Sequence, residues 1–302
     1  MADLAPRIAG ILEAAKLEAG FAAVGVESGK IIAVNADALF PTASVFKVPV
    51  MAEVYAQTRA GRFALSDRLP FAEAHRIIGS GVMQTLGAGI APSIRDLMML
   101  MMIVSDNTAT DILCDLIGPG AATARMQTLG LTNIHVPLAC HGLFRQGWNL
   151  GLTTELAYAD FKAASKATPM DFTSDAFART PATNTSSARD MAALMALIAT
   201  NQAGHPDDCA DMIALMDNQH YQDRVPRFLP TGSTANKTGS LRGLRNDAGL
   251  IRRGAGDTIA FALFTFDGTE LPHGNSRALQ DANVRIGSAM GEVGALLWDE
   301  FK

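Results

Sequence analysis

Strand-like segments lie near both ends of the chain, and this arrangement constrains the fold most. After an amphipathic first helix, two short alternating runs at 21–26 and 30–36 are joined by a glycine-containing turn. Two further runs, at 247–252 and 258–266, lie near the other end. Neither pair has enough strands for a stable sheet on its own. We therefore expect a single antiparallel sheet to which both ends of the chain contribute.

The long middle of the chain is predicted to be helical. Apolar residues recur at helical spacing in five stretches, at 94–104, 108–117, 121–129, 156–167 and 188–199. A last helix is expected at 283–298, and Pro49 predicts a kink in a further helix that ends near Gly61. The sequence thus predicts an α/β (α+β) fold. Residues 1–42 and 220–302 are expected to form a discontinuous sheet domain, with residues 43–219 inserted as a helical domain.

Composition excludes several functional classes. Hydrophobic residues make up 48% of the 302 residues, which is enough for a large core. A net charge of −5 argues against a nucleic-acid partner, and no apolar run is long enough for a membrane span. The three cysteines and six histidines show no metal-binding spacing, so we expect neither metal nor cofactor. We expect a cytoplasmic protein, the alternative being an exported one whose signal peptide is absent from this sequence.

Three short motifs stand in a fixed order along the chain. They are S-x-x-K at Ser44, S-D-N at Ser105 and K-T-G at Lys237. In a chain of this length and average composition, S-x-x-K is expected about once by chance. Each of the two triplets is expected only about a few hundredths of a time on the same basis. Together with FPTASVFKVPVMAEV, GSGVMQTL and IRDLMMLMMIVSDNTATDIL, they resemble class A β-lactamases and the related penicillin-binding proteins.

The resemblance extends from about residue 20 to the end of the chain and is weakest between residues 131 and 185. It implies a helical domain set into an α/β domain, with the active site at the seam between them. This agrees with the fold that the strand-like and helical segments predict.

The first motif pairs a hydroxyl with an amine. A serine hydroxyl becomes a good nucleophile only when a neighbouring base takes its proton. Lys47 lies one helical turn after Ser44, on the same face. Its neutral form is favoured near a helix N-terminus and other cations, so it can act as that base. The alternative role of Ser44 is a helix cap, and capping is also the role that we expect for Asp106.

The other two motifs supply groups around the reacting carbonyl. Ser105 can relay a proton to the leaving nitrogen, and the Asn107 amide can bind a substrate carbonyl and orient Lys47. Lys237 and Thr238 favour a substrate carboxylate, and Gly239 leaves room for close approach of the substrate.

The resemblance adds further candidates to this site. It implies that the backbone N–H groups of Ser44 and Ser240 form an oxyanion hole. The family often places an arginine nearby to bind the substrate carboxylate, which makes Arg242 and Arg245 candidates. For either arginine alone, a solvated surface position is the alternative.

One departure from the family pattern concerns deacylation. Class A β-lactamases hydrolyse the acyl-enzyme with a glutamate in an E-x-x-L-N loop, and no such pattern occurs after the S-D-N motif here. Alignment places Val136, Pro137 or Leu138 at the position of that glutamate. Three other residues are candidate bases for the deacylating water, namely His141, Glu155 and His135. Alternatively, Lys47 or Ser105 releases the product without further help.

The sequence therefore predicts a serine hydrolase with a Ser44 acyl-enzyme. We expect an anionic small-molecule substrate, an amide, lactam or ester that bears a carboxylate, and weak β-lactamase activity. A D,D-peptidase-like enzyme, a covalent acyl-binding or sensor protein with blocked deacylation, and an inactive relative are the alternatives. The sequence predicts no oligomeric state.

Overall fold

The computed structural model describes residues 4–151, 156–270 and 276–301. Eight strands are present in these residues: β1 (Glu18–Gly25), β2 (Ile31–Val34), β3 (Leu39–Pro41), β4 (Ile134–His135), β5 (Thr185–Ser187), β6 (Thr234–Leu241), β7 (Leu244–Gly254) and β8 (Asp257–Phe266). Ten helices accompany them: α1 (Leu4–Ala14), α2 (Lys47–Arg59), α3 (Ile94–Ile103), α4 (Asn107–Ile117), α5 (Ala121–Thr128), α6 (Cys140–Gly147), α7 (Tyr158–Ala167), α8 (Ala188–Ala199), α9 (Pro206–Asp217) and α10 (Ser276–Glu300).

Both ends of the chain contribute to one five-stranded sheet. Its strand order is β2-β1-β8-β7-β6, and every neighbouring pair is antiparallel. The N-terminal hairpin joins the C-terminal strands through β1 and β8, where Phe21 lies opposite Leu263. The α/β fold expected from the sequence is confirmed, and the K-T-G motif lies on the edge strand β6.

Alternation along the central strands assigns the two faces of the sheet to different layers. In β8, Ile259, Phe261 and Leu263 belong to a core shared with α1 and α10. The intervening Ala260 and Ala262 face the core that contains the other helices. Because successive strand residues point to opposite faces, this alternation buries both sides of the sheet. Small alanines on the second face leave room for α8, which packs on β1, β7 and β8.

A second, three-stranded sheet joins three distant parts of the chain. Its order is β3-β5-β4, with Leu39 opposite Ser187 and Ile134 opposite Ser186. Strand β5 lies between β3, which precedes α2, and β4, which precedes α6. Within the described ranges, no helix is both long and apolar enough to cross a membrane. The division into residues 1–42 with 220–302 and residues 43–219 stays a prediction.

The start of α2 differs from the sequence prediction. A 3₁₀ turn, Ala43–Phe46, precedes the helix, and α2 itself begins at Lys47. Pro49 therefore lies in the first turn of α2, where backbone N–H groups have no intrahelical partner. Proline is tolerated best near the start of a helix, and α2 runs as one helix from Lys47 to Arg59. The predicted kink at Pro49 stays a prediction.

Candidate active site

Ser44 lies in the 3₁₀ turn that leads into α2. The backbone N–H of Lys47 donates to the carbonyl oxygen of Ser44, so the two residues are one 3₁₀ turn apart and share a face. Ala43 has a φ of 44°, in the left-handed region that a residue with a side chain rarely adopts. Strain of this kind persists where the surrounding structure fixes it, and it clusters at functional sites. Ser44 is half-buried at this point.

The side chain of Lys47 is completely buried, and its amine lies among three oxygen atoms. Its Nζ is 2.7 Å from the carbonyl oxygen of Ser105, 3.1 Å from Ser105 Oγ and 2.9 Å from Asn107 Oδ1. Burial lowers the pKa of Lys47 because the charged form loses its hydration. A neutral amine can donate to the carbonyl and the amide oxygen and accept from the Ser105 hydroxyl.

Ser105 connects the amines of the first and third motifs. The Nζ of Lys237 donates to Ser105 Oγ at 3.0 Å and to the carbonyl oxygen of Thr238 at 2.8 Å. Ser105 Oγ thus lies between the amines of Lys47 and Lys237. Burial, and then repulsion from Lys47, lowers the pKa of Lys237 well below its usual value. Ser105 has a φ of 56°, a second strained position at the same place.

Asp106 has a structural role, as the sequence predicts. Its side chain caps α4 by accepting the N–H of Ala109 at 3.0 Å. The second carboxylate oxygen accepts the N–H groups of Val82 and Met83, at 2.6 and 2.8 Å. Asp106 therefore holds the segment around Ser80 against the start of α4.

The amide of Asn107 orients Lys47. Its Oδ1 accepts from Lys47 and from Ser80 Oγ, at 2.9 and 3.4 Å, while its Nδ2 donates to the carbonyl oxygen of Ile78 at 2.8 Å. The other hydrogen on Nδ2 is the group that can bind a substrate carbonyl. Ser80 also donates to the carbonyl oxygen of Ser105 at 2.9 Å, and sequence analysis did not identify it.

The edge strand β6 lies directly against the Ser44 turn. A Cβ at Gly239 would lie 2.5 Å from the carbonyl oxygen of Thr42 and 3.1 Å from the backbone nitrogen of Ser44. Only glycine permits this approach. Ser240 is the next residue on this strand and is exposed.

Two cavities meet at Ser44. Their shared lining consists of Ser44, Ser80 and Ser240. The first cavity has a volume of about 360 Å³ and is mostly apolar, with Phe144 and Trp148 in its wall. The second has a volume of about 280 Å³, and its wall consists mainly of polar and charged groups. The residues that line the second cavity besides the shared serines are Ser105, Tyr221, Asp223, Arg224, Thr238, Arg245 and Asn283.

The two predicted arginines have different positions. Arg245 lines the charged cavity and donates to the Asn283 side chain. Arg242 donates to the carbonyl oxygen of Met170 at 2.5 Å, pairs with Glu270 and stacks 4.0 Å from the centre of the Phe172 ring. These contacts hold the Arg242 guanidinium outside the lining of both cavities, which gives no support to its predicted role in substrate binding.

A third arginine, Arg224, lines the charged cavity and was missed by the sequence analysis. It is buried, with one nitrogen donating to the carbonyl oxygens of Gly239, at 2.6 Å, and Asn246. The other terminal nitrogen donates to Ser240 Oγ. Repulsion from Arg224 adds to burial in lowering the pKa of Arg245 to about 10. No local motif marks Arg224, because the fold of the chain alone brings it to β6.

The two histidines among the candidate deacylating bases do not line the cavities at Ser44. His141 lines a separate cavity with Asp115, and its ring packs edge-on against Phe161 with the centroids 4.9 Å apart. His135 lies on β4, opposite Thr185. His141 lies on α6 but its side chain lines this other cavity, and His135 lies on the separate strand β4. Glu155 lies outside the described residues.

Cys140, at the start of α6, occupies the place beside Asn107 instead. Its Sγ lies 3.5 Å from Asn107 Oδ1, and the residue lines the apolar cavity. The aligned Val136 and Leu138 line neither cavity at Ser44. Their backbone N–H groups donate to Thr123 Oγ1 and Asn184 Oδ1, at 2.8 and 3.1 Å. Burial raises the pKa of the Cys140 thiol, so this group remains protonated and is a poor base.

Comparison with known proteins agrees with this geometry. The profile of the β-lactamase enzyme family matches residues 3–301. β-Lactamase L2 of Stenotrophomonas maltophilia is 32% identical over 112 residues, which span only 37% of this chain and 37% of that protein. A crystal structure of a β-lactamase from Sphaerobacter thermophilus is 27% identical and has a TM-score of 0.73, with 96% of this chain and 95% of that chain covered.

PBP-A has the same fold, with 22% identity, a TM-score of 0.73, and coverage of 99% of this chain and 96% of that chain. The family profile spans nearly the whole chain, and the structural relatives cover nearly all of it. The chain therefore belongs to the β-lactamase enzyme family, among the class A β-lactamase-like serine hydrolases.

Proposed function

We propose that the protein forms an acyl-enzyme at Ser44 with small carboxylate-bearing amides, lactams or esters and hydrolyses β-lactams only weakly. One observation carries this proposal: Ser44 lies where the apolar cavity meets the charged cavity that Arg224 and Arg245 line, one turn from a buried amine. A substrate with a carboxylate on one side of its carbonyl would place that carbonyl over Ser44.

Acylation begins with the transfer of a proton from Ser44. Neutral Lys47 accepts the proton as Ser44 Oγ bonds to the carbonyl carbon. The backbone N–H groups of Ser44 and Ser240 stabilise the charge that develops on the carbonyl oxygen. Asn107 keeps Lys47 in place through the 2.9 Å hydrogen bond to its Oδ1.

Collapse of the tetrahedral intermediate breaks the bond from carbon to nitrogen or, in an ester, to oxygen. Ser105 gives its proton to the departing atom and regains one from Lys47, whose Nζ is 3.1 Å from Ser105 Oγ. Lys237 stabilises the Ser105 oxygen from the other side, at 3.0 Å. In total, one proton has moved from Ser44 to the leaving group, and Lys47 and Ser105 have returned to their initial protonation states.

Deacylation is expected to be slow for β-lactams. Water needs a base near the ester carbonyl, and the residue beside Asn107 is a protonated thiol rather than a carboxylate. This favours a second candidate function, a covalent acyl-binding protein in which the adduct persists. A D,D-peptidase-like reaction is the remaining alternative, in which an amine rather than water accepts the acyl group.

A chromogenic cephalosporin tests the proposal. We expect one molar equivalent of rapid colour release, followed by slow turnover and an intact-mass adduct that decays slowly. The Ser44→Ala variant should show neither adduct nor burst. Wild-type protein that forms no adduct, or an alanine variant that turns over as fast as the wild type, would exclude a Ser44 acyl-enzyme.

Arg224→Ala is expected to weaken recognition of the substrate carboxylate. Loss of a charged hydrogen bond costs about 1.5–3 kcal/mol, so acylation by a carboxylate-bearing penam should slow by about tenfold to a hundredfold. The methyl ester of the same penam should lose far less, which separates loss of the charge from a general distortion of β6.

The measurement is the second-order acylation rate by intact-mass spectrometry. Arg242→Ala is the matched control and should acylate normally, because Arg242 contacts Met170 and Glu270 instead of the cavity. Equal losses with the free acid and the ester would argue against a carboxylate site at Arg224.

A further inference from the structure

Ser80 lies in a short loop between two glycines, and the acylation steps described above do not use it. Gly79 and Gly81 have φ values of 97° and 100°, in the region that favours glycine. A Cβ at Gly79 would lie 2.7 Å from Asn107 Nδ2, and a Cβ at Gly81 would lie 2.3 Å from the Asp106 carboxylate. The two glycines therefore let the loop pack directly against the S-D-N motif, with Ser80 in the lining of both cavities.

Backbone hydrogen bonds hold this loop on both sides of Ser80. The carbonyl oxygen of Ser80 itself accepts the N–H of Asn107 at 3.1 Å. Before it, the carbonyl oxygen of Ile78 accepts from Asn107 Nδ2 at 2.8 Å. After it, the N–H of Val82 donates to the Asp106 carboxylate at 2.6 Å. A side chain supported in this way is held ready for its contacts at the site.

The Ser80 hydroxyl contacts two of the three oxygen atoms that surround the amine of Lys47. Its Oγ is 2.9 Å from the carbonyl oxygen of Ser105 and 3.4 Å from Asn107 Oδ1. The Nζ of Lys47 is 2.7 and 2.9 Å from the same two atoms. A hydroxyl has one hydrogen, and the shorter distance assigns it to the Ser105 carbonyl. That oxygen has two lone pairs and accepts from Ser80 and Lys47 together.

Sharing this acceptor affects the two protonation states of Lys47 unequally. An ammonium makes a stronger hydrogen bond than a neutral amine does. The ammonium therefore loses more when a second donor draws on the same carbonyl oxygen. Burial of Lys47 also favours the neutral amine, because the charged form loses its hydration. The Ser80 hydroxyl and the burial thus act in the same direction.

We propose that Ser80 is a positioning residue for acylation, because its hydrogen bond to the Ser105 carbonyl favours the neutral form of Lys47. This is the form that accepts the Ser44 proton. The inference rests on the proposed function, since it assumes that Ser44 is acylated with Lys47 as the base. Ser80 keeps its own proton throughout, and the Ser44 proton still passes through Lys47 and Ser105 to the leaving atom.

Other titratable groups also lie near Lys47, on α4, α6 and β6. They are Asp106 at the N-cap of α4, Asp111 and Cys114 on α4, Cys140 on α6 and Lys237 on β6. The carboxylates favour the ammonium form of Lys47, and the cation of Lys237 favours the neutral amine. All of these groups are present in every variant compared below, so a difference between the variants reports on Ser80.

The pH profile of acylation tests this role, with the second-order rate for one penam measured by intact-mass spectrometry wherever the protein stays folded. In Ser80→Ala, the Ser105 carbonyl is left to Lys47 alone, which favours the ammonium. We expect the midpoint of the rise with pH to move up by about half to one pH unit, the effect of one hydrogen bond. Below the midpoint, acylation should slow by about threefold to tenfold. Well above it, the rate should equal that of the wild type.

Two further variants separate the hydroxyl from the shape of the site. Ser80→Thr keeps the hydroxyl and should keep the wild-type midpoint. Ser165→Ala is the matched control, because it also removes a half-buried serine hydroxyl from the lining of the apolar cavity. That hydroxyl donates to the carbonyl oxygen of Lys162 within α7, at 3.0 Å. The Ser165→Ala variant should therefore keep the wild-type midpoint as well.

The outcomes separate this inference from the proposed function. If Ser80→Ala acylates more slowly by the same factor at every pH, Ser80 has only a structural role and the inference is overturned. An unshifted profile in Ser80→Ala, or an equal shift in Ser80→Thr, would overturn it too, and the Ser44 acyl-enzyme would stand in each case. If wild-type protein forms no adduct at any pH, the proposed function fails, and the role of Ser80 fails with it.

Discussion

Lys47→Met is expected to slow the acylation of Ser44 by about 10²–10⁴-fold, the usual contribution of a general base. Methionine is close to lysine in length and fills the same space without an amine. The buried Nζ is one turn from Ser44 and 3.1 Å from Ser105 Oγ, so a single substitution removes both the acceptor for the Ser44 proton and its path to the leaving group.

The pH dependence of acylation gives a second readout. Only neutral Lys47 can accept a proton, so the acylation rate should rise with pH as Lys47 loses its proton. Burial lowers the pKa of Lys47 from the ordinary value of 10.5. The rise should therefore be complete at a lower pH than a solvated lysine would give, and the Lys47→Met variant should lack it.

Thermal denaturation distinguishes a lost base from a damaged fold. Burying an amine costs free energy through lost hydration, so the melting temperature of Lys47→Met should equal or exceed that of the wild type. Lys162→Met, which replaces an exposed lysine on α7, is the control and should acylate normally. A Lys47→Met protein that acylates at the wild-type rate would rule out Lys47 as the base.

The parts of the fold that the sequence predicted are those with strong local periodicity. The helix at 188–199 was predicted with the observed bounds, and the strand at 258–266 differs from β8 by one residue at its start. In β8, the two-residue alternation places Phe261 and Ala262 on opposite faces. Such a pattern follows from burial on each face and needs no knowledge of distant residues.

Helix α6 was missed because its stability comes from outside it. Its sequence, CHGLFRQG, contains two glycines, which weaken helix propensity. Asp111 holds its first turn from α4. A short, glycine-containing segment in a long loop gives no local signal of a helix, although it supplies the aromatic wall of the apolar cavity.

The site shows the same division between local and long-range information. Ser44, Lys47 and Ser105 belong to motifs whose spacing is visible in the sequence, and the fold brings the motifs together. Arg224 and Cys140 reach the site through tertiary contacts with Gly239 and Asn107. Their roles depend on which strand and helix ends are neighbours, and no residue spacing contains that information.

Cys140→Glu is expected to convert a persistent acyl-enzyme into one that turns over. The Cys140 side chain lines the apolar cavity beside Asn107, and a glutamate would extend its carboxylate further into the cavity of about 360 Å³. A hydrogen bond from the nearby amine of Lys47 would favour the ionised carboxylate, and this carboxylate would then take a proton from water. We expect deacylation to accelerate by about 10²–10⁴-fold, as general base catalysis allows.

Cys140→Gln is the matched control, because glutamine has the size of glutamate but no basic carboxylate. Decay of the intact-mass adduct after rapid removal of excess β-lactam measures deacylation directly in both variants. The glutamate variant should lose its adduct quickly and release colour from a chromogenic cephalosporin continuously, while the glutamine variant keeps its adduct. Equal adduct lifetimes in two variants that both acylate would show that the missing carboxylate beside Asn107 does not limit turnover.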